Sequence, residues 1–535
     1  MKALILTLGH NSSAILVEDG NIICGYEEER LTGVKSDSRY PENAINRLCQ
    51  LYDIPKNVEV YVSHWFLDGQ LPKDDLKHWD KLKLRKIFPD YHIFGLSNKF
   101  THHDAHALSA EVFAGDAFPK NHHVLVADGF GTAGECYSGY SCDGESKLRL
   151  GLRYTGFSKS VGLFYQYATE YCEMIPHQHE YKMLAFETHL TEIMPCPYRV
   201  RSLNRYIDKF SKTYLDRASW AEHDLSHLSY ARDNVRCVLD TFLDFARNDM
   251  ILTDTRDLRS KRILISYFVQ RHTENIIRSL VEAIRPTNLI VAGGVFFNVK
   301  INSMICDMIP GKFCAMPLAG DQGAGLGVYQ YYNGDLKWPG HLFWGHRDKL
   351  RPGAVGIKCD ATLADVKEAL SRHGIVNIVR GSMEFGPRAL CNTTTLALPT
   401  QALAAKINAM NDRTNEMPFA LVVTREQASQ LFEDIDKIHE SLEYMIVTRK
   451  FKPNRHQRYA GGAHYYPLTK EYTCRPQITN DPFMRSLLNE FGPLINTSFN
   501  YHGCPIVYDE NQIVNSHYQE SRRLPIDTFI INSEE

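Results

Sequence analysis

The sequence predicts a layered α/β fold in two domains, and three observations point there. Short apolar runs at 3–8, 58–63, 124–128 and 289–292 read as strands. Helical, polar-rich stretches separate them, above all across 202–285. The composition then shifts at 334–356, through Gly334, Pro339, Gly340, Pro352 and Gly353, and a second set of strand and helix signals follows. The expected domains are residues 1–347 and 348–535, which fits a chain of 535 residues.

The elements follow in order. Residues 3–8 form a strand, and 21–26 follow the turn Glu18-Asp19-Gly20, so the chain opens as a β-hairpin. Thr101 and Asp104 form a capping box that opens a helix running to about Ala114, with Gly115 as its stop. After the boundary come a helix over 362–373 and strands at 375–379, 421–424, 444–447, 494–495 and 530–531. The sequence presents no internal repeat.

Composition narrows the class. Hydrophobic residues are 44% and charged residues 23%, an ordinary globular balance. Lys+Arg is 60 against Asp+Glu 63, so no global field grips a nucleic acid backbone or an anionic membrane. No apolar run reaches the length of a membrane span. The 13 cysteines are scattered without a C-x-x-C, which argues against a disulfide framework and for a reducing, cytoplasmic setting.

Several motifs carry chemistry. In Thr101-His102-His103-Asp104-Ala105-His106, His102 and His106 stand at i, i+4 on one helix face, a spacing that lets two imidazoles share a metal ion. Ordinary helix surfaces also produce this spacing, and the glutamate of an H-E-x-x-H protease is absent. Asp128-Gly129-Phe130-Gly131-Thr132-Ala133-Gly134 contains a formal G-x-G-x-x-G, but residues 135–141 alternate like a strand. A dinucleotide fingerprint needs a helix there. A strand, an acid and a hairpin instead suit a backbone phosphate cradle with a carboxylate near a metal. No G-x-x-x-x-G-K-[ST] occurs. Gly293-Gly294 after a buried strand permits close approach by a ligand, or simply a tight turn. Asp321, set in glycines before a small-residue helix, suits a metal carboxylate, or the glycines serve close helix packing. In the second half, Glu384-Phe385-Gly386-Pro387-Arg388, Arg413, Arg475 and Asn496-Thr497-Ser498-Phe499-Asn500 supply donors suited to an oxyanion.

Taken in order, these motifs resemble the O-carbamoyltransferases of the NodU/CmcH family over nearly the whole chain. The resemblance rests on Gly9-His10-Asn11-Ser12-Ser13-Ala14, Glu27-Glu28-Glu29-Arg30, Lys35, the 102–107 and 128–129 segments, Glu180-Tyr181-Lys182, Gly293-Gly294 with Asn298, and Gly320-Asp321. It continues through 384–390, 496–500 and Gly503-Cys504-Pro505-Ile506. It implies an actin/Hsp70-type, TsaD-like nucleotide-binding domain followed by a YrdC-like α/β domain.

The activity implied is ATP-dependent transfer of a carbamoyl group from carbamoyl phosphate, through carbamoyl-adenylate, to an acceptor hydroxyl. By the resemblance, His102, His106, Asp128 and Asp321 hold a divalent metal, iron in relatives. The donor set also suits Mn or Zn. ATP, with Mg, is the co-substrate. Lys35 and Lys182 add positive charge near its phosphates, and Gly293, Gly294 and Asn298 approach the nucleoside. His10 takes the acceptor's proton. Glu384, Arg388, Arg413, Arg475, Asn496, Ser498 and Asn500 belong to the carbamoyl phosphate site.

The chain departs from the family pattern at Asn11, after Lys182, and at Ser382, Cys391, Thr393, Thr394, Asn411 and Met417. The donor pocket therefore carries less positive charge than the pattern. Partners expected are carbamoyl phosphate, ATP and a hydroxyl acceptor that could be a sugar, a small molecule, a nucleotide or DNA. No membrane is expected, and a homodimer is left open. The basic run 449–458 either touches an anionic acceptor or is a solvated loop. Two rival classes remain: a kinase of the same nucleotide superfamily, which would release ADP, and a non-enzymatic nucleotide-binding relative.

Overall fold

The computed structural model describes the whole chain except residues 66–80, 145–147, 216–226, 251–256, 413–418 and 533–535. The fold is α/β, and its first half is built from two five-stranded sheets. The first contains β1 (Lys2–Thr7), β2 (Ser13–Glu18), β3 (Asn21–Glu27), β4 (Glu59–Trp65) and β5 (His92–Leu96), in the order β3-β2-β1-β4-β5. β1, β2 and β3 pair antiparallel, while β4 and β5 add in parallel. The second contains β6 (Asn121–Ala127), β7 (Glu135–Asp143), β8 (Leu148–Thr155), β9 (Leu289–Ala292) and β10 (Phe313–Ala315), in the order β8-β7-β6-β9-β10. Its strand directions repeat those of the first. This duplication is the actin/Hsp70-type arrangement, and the sequence reading, which found no repeat, is corrected by it. Strand order depends on which faces are apolar, so it survives where residue identities do not.

The opening is also fuller than the sequence suggested. A strand at 13–18 was not anticipated. Gly9 (φ 95°) and Asn11 (φ 64°) take left-handed backbone and turn the chain back, so that β2 pairs with β1 before the Asp19-Gly20 turn leads into β3.

In each unit the last strand leads into a helix: His102–Ala114 after β5 and Asp321–Asn333 after β10. The capping box of Thr101 and Asp104 opens the first, and Gly115 ends it. These two helices pack together because the second is lined with glycine. A Cβ at Gly327 would lie 1.8 Å from the Ala105 carbonyl oxygen, and one at Gly325 would lie 2.5 Å from Ile5 Cγ2. The span between β8 and β9 is helical as expected, including Pro197–Lys212, His227–Met250 and Leu258–Ile284.

The second half is built on a seven-stranded mixed sheet. Its strands run in the order Ile357–Lys358, Asp527–Ile531, Ile375–Arg380, Thr393–Ala397, Leu494–Ser498, Ala420–Val423 and Pro476–Ile478. The strand expected at 444–447 does not form. Residues Ser441–Tyr444 make a 3-10 turn, and Met445 takes φ 56°. The run is apolar because it is buried, and the Ile446 carbonyl accepts from Asn302 Nδ2 (2.8 Å) instead of a sheet neighbour.

The halves are locked together. Arg30, fully buried, donates to the Gly386 carbonyl (2.6 Å) and to Glu27 Oε2 (3.1 Å), which also accepts the Gly386 N–H (3.0 Å). Tyr26 donates to the His346 carbonyl (2.7 Å). No helix of the described residues is long and apolar enough to cross a membrane, and the cysteines are free thiols.

Candidate active site and family

Three elements meet to place the metal-type donors. His102 and His106 come from the helix after β5, Asp128 from the end of β6, and Asp321 from the first turn of the helix after β10. The glycine-mediated helix contact brings Asp321 opposite the histidines. Asp128 Oδ2 lies 3.3 Å from His102 Nε2 and 3.2 Å from His106 Nε2. Asp321 Oδ1 lies 3.3 Å and 3.7 Å from the same two atoms. The two Nε2 atoms face each other at 3.0 Å. The other oxygen of Asp128 accepts the N–H groups of Gly129 (2.7 Å) and Gly294 (3.3 Å), which orient the carboxylate.

Electrostatics tie the cluster together. Burial works against charge on His102, yet Asp128 and Asp321 outweigh it and push the imidazole up to about 10. Burial likewise opposes ionisation of Asp128 and Asp321, and His102 and His106 hold both well below the usual carboxylate range. A convergent N₂O₂ set with facing imidazole nitrogens fits a divalent cation, because the ion competes for the lone pairs that otherwise hold protons.

Gly293 and Gly294 are required here. Gly293 adopts φ 97°, and its Cβ would lie 2.2 Å from the Ala127 carbonyl oxygen; a Cβ at Gly294 would press on Asp128 Oδ1 at 3.0 Å. Asn298 caps the helix Val299–Met308 through its side-chain oxygen and donates Nδ2 to Gln270 (2.7 Å).

A single cavity of about 1340 Å³ runs from this cluster into the second half. On the first side it is lined by His10, Lys35, Gly294, Asn298 and Asp321, and on the other by Arg388, Arg475, Asn496, Ser498 and Asn500. His10 Nε2 lies 3.8 Å from Asp321 Oδ2. Lys35 sits 3.7 Å from Glu29, whose carboxyl Lys35 and Arg30 hold low despite burial. Among the described residues no carboxylate pairs with Arg388. Arg413, like Met417, lies outside the described residues.

Other sequence candidates stand back from the cavity. Lys182 Nζ lies 2.9 Å from His179 Nε2. Glu384 is fully buried, and its Oε1 accepts the N–H groups of Leu390, Asn392 and Thr393, each at 2.9 Å. That bonding shapes the loop carrying Arg388, while Oε2 is buried without a partner among the described residues and Glu384 does not line this cavity. Asn496 reaches the cavity but is engaged by Thr394, Gln477 and the Ala389 carbonyl. In the basic run, Arg449 is buried against Asp307 (3.0 Å) and Lys450 pairs with Glu471 (2.8 Å), so part of its charge is internal.

His177 escaped the sequence reading. It takes φ 62°, its N–H donates to Glu180 Oε1 (2.6 Å), and its ring packs at a tilt of 30° against His10 with centroids 4.5 Å apart. Burial lowers its imidazole to about 4, so it stays neutral. The run His177-Gln178-His179 directly before Glu180 was the available signal.

Two family models match the chain: the carbamoyltransferase N-terminus over residues 81–329 and the carbamoyltransferase C-terminus over 367–533. An uncharacterized protein of Methanocaldococcus jannaschii is 25% identical, with 95% of each chain covered. The nodulation protein NolNO of Sinorhizobium fredii is 26% identical over 94% of this chain and 75% of its own. The 3'-hydroxymethylcephem-O-carbamoyltransferase of Amycolatopsis lactamdurans is 27% identical over 43% of this chain and 47% of its own. With both halves matched in order around one shared cavity, the chain belongs to the carbamoyltransferase family of the NodU/CmcH type and is a transferase.

Proposed function

We propose that this enzyme transfers a carbamoyl group from carbamoyl phosphate to an acceptor hydroxyl, using ATP and passing through carbamoyl-adenylate. The observation that carries this reading is the single cavity joining the His/Asp cluster of the first half to the arginines of the second. Two chemistries placed along one continuous cavity suit a reactant handed from one site to the other.

Arg388 and Arg475 bind the phosphate of carbamoyl phosphate as planar forks, and Ser498 donates its hydroxyl to the same group. The arginine-lined end is the YrdC-like part of the mechanism, where phosphate leaves and carbamate is produced. In this donor step water attacks the carbamoyl carbon as the bond to phosphate breaks, which leaves carbamate and phosphate. The carbamate then moves to the first half. There Lys35 supplies positive charge beside the ATP phosphates, and Gly294 lets the nucleotide approach the backbone. The carbamate oxygen attacks the α-phosphorus, forming the mixed anhydride and releasing pyrophosphate. A divalent ion held by His102, His106, Asp128 and Asp321 would offset phosphate charge at this end. His10 accepts the proton of the attacking acceptor hydroxyl, AMP departs, and the carbamate ester remains. His177 holds the His10 ring by packing against it.

The test is to incubate the enzyme with carbamoyl phosphate, ATP and a panel of hydroxyl acceptors, and to identify the nucleotide product. AMP formed only with carbamoyl phosphate present, and an acceptor gaining the mass of a carbamoyl group, is the expected result. ADP formation independent of carbamoyl phosphate would replace this reading with a kinase.

A further inference from the structure

A second set of metal-type donors converges away from the shared cavity. Glu111 projects from the helix His102–Ala114, His122 from β6 and Cys142 from β7. His122 and Cys142 stand directly opposite each other in the antiparallel β6–β7 register, which sets imidazole and thiol side by side on one face. Glu111 reaches them from the helix packed on that sheet. The three donor atoms lie within 4.8 Å of one another.

The histidine is oriented as a ligand. Its Nδ1 lies 2.6 Å from the Pro119 carbonyl oxygen, which can only accept, so Nδ1 carries the proton. Nε2 faces Glu111 Oε1 at 2.5 Å, a contact that holds a proton between the two when no ion is bound and that presents both atoms to a cation which replaces that proton. An outer N–H anchored on a carbonyl is the bond that ordinarily fixes a metal-bound imidazole. Cys142 and His122 are buried, with 5% and 6% exposure. The Glu111 side chain keeps 26%, which leaves a way in for an ion.

We propose that Glu111, His122 and Cys142 bind a zinc-class divalent cation through one oxygen, one nitrogen and one sulfur, with a solvent molecule completing the tetrahedron. On binding, the Cys142 thiol and His122 Nε2 each give a proton to solvent, the S–metal bond forms, and the Glu111–His122 contact opens so that each donates a lone pair to the ion. The site differs in kind from the His/Asp cluster, which holds no sulfur. In the absence of metal, His122 takes a second proton and pairs with Glu111.

The difference supplies the test. The full chain is stripped with chelator and titrated with Co²⁺, and the thiolate-to-cobalt charge-transfer band is followed. A band that saturates within two equivalents, because the His/Asp cluster also takes the ion, is displaced by Zn²⁺ and disappears in Cys142→Ser and in His122→Gln is expected. Independently, alkylation of Cys142 in the wild-type chain, read by peptide mass spectrometry, should slow at least tenfold when zinc is added. A band at full strength in Cys142→Ser, or no band together with an unchanged alkylation rate, overturns the proposal. Should both variants fail to fold, the wild-type alkylation rate decides alone.

Discussion

Gly327 lies so close to Ala105 that a Cβ would fall 1.8 Å from the Ala105 carbonyl oxygen. That contact sets the distance between Asp321 and the two histidines, which sit on the same pair of helices. Gly327→Ala should cost about 1–3 kcal/mol of stability through overpacking. It should also lower metal content well below that of the wild type, because the helices must part. Elemental analysis alongside thermal unfolding checks this. Full metal content with only a lowered melting temperature would show that the helix contact does not govern the cluster.

The two steps of the proposed reaction separate at His10. His10→Ala should leave adenylation measurable as pyrophosphate exchange, while transfer to the acceptor, and with it AMP release, falls by about 10²–10⁴. His177→Ala should follow in the same direction with a smaller loss, and His177→Phe should restore part of it by keeping a ring against His10. An equal fall in exchange and transfer for both residues would count against a role confined to the acceptor step.

At the other end of the cavity, Arg388→Lys keeps the charge but loses the fork. The KM for carbamoyl phosphate should rise by roughly tenfold or more, at ~1.4 kcal/mol per tenfold, with the KM for ATP unchanged. Steady-state kinetics with each substrate varied in turn decides it.

Glu520 makes a prediction about stability and pH. Burial pushes its carboxyl up to about 8, only partly offset by the bond from Asn377 Nδ2 (2.7 Å). Its Oε1 is buried without a partner. The folded state therefore keeps a proton that the unfolded chain releases above its ordinary value near 4.5. Stability from this group is present below that value and is lost as pH rises toward 8. Glu520→Gln should flatten this decline and should stabilise the protein more at pH 8 than at pH 5. Equal shifts in melting temperature at both pH values would refute it.

Much of the site was legible because its chemistry is local. The capping box placed His102 and His106 on one helix face, the acid after β6 stood out, and the glycines around Asp321 announced both roles they serve. What the sequence hid was set by packing between distant segments. Glu384 looks like a ligand in its motif, yet three amides from 390–393 claim it. His177 becomes part of the site only when the 177–180 turn folds over His10. The apolar run at 444–447 reads as a strand, but Asn302 of the other half takes its carbonyl. The repeated strand order left no trace in residue spacing, since the two units share strand order and direction while corresponding strands differ in length and burial.

That repetition has a consequence for how the catalytic centre is assembled. The helix with the imidazoles and the helix with Asp321 occupy the same place in their respective units, each leaving its sheet after the last strand. Likewise His10 and Asp128 both follow the first strand of a unit. The donor cluster thus draws on both copies of one strand order, and the copies are free to diverge. One copy brings nitrogen and the other oxygen. Neither unit alone carries all four donors, so the cluster is complete only after synthesis has passed residue 333 and the second helix has docked on the first.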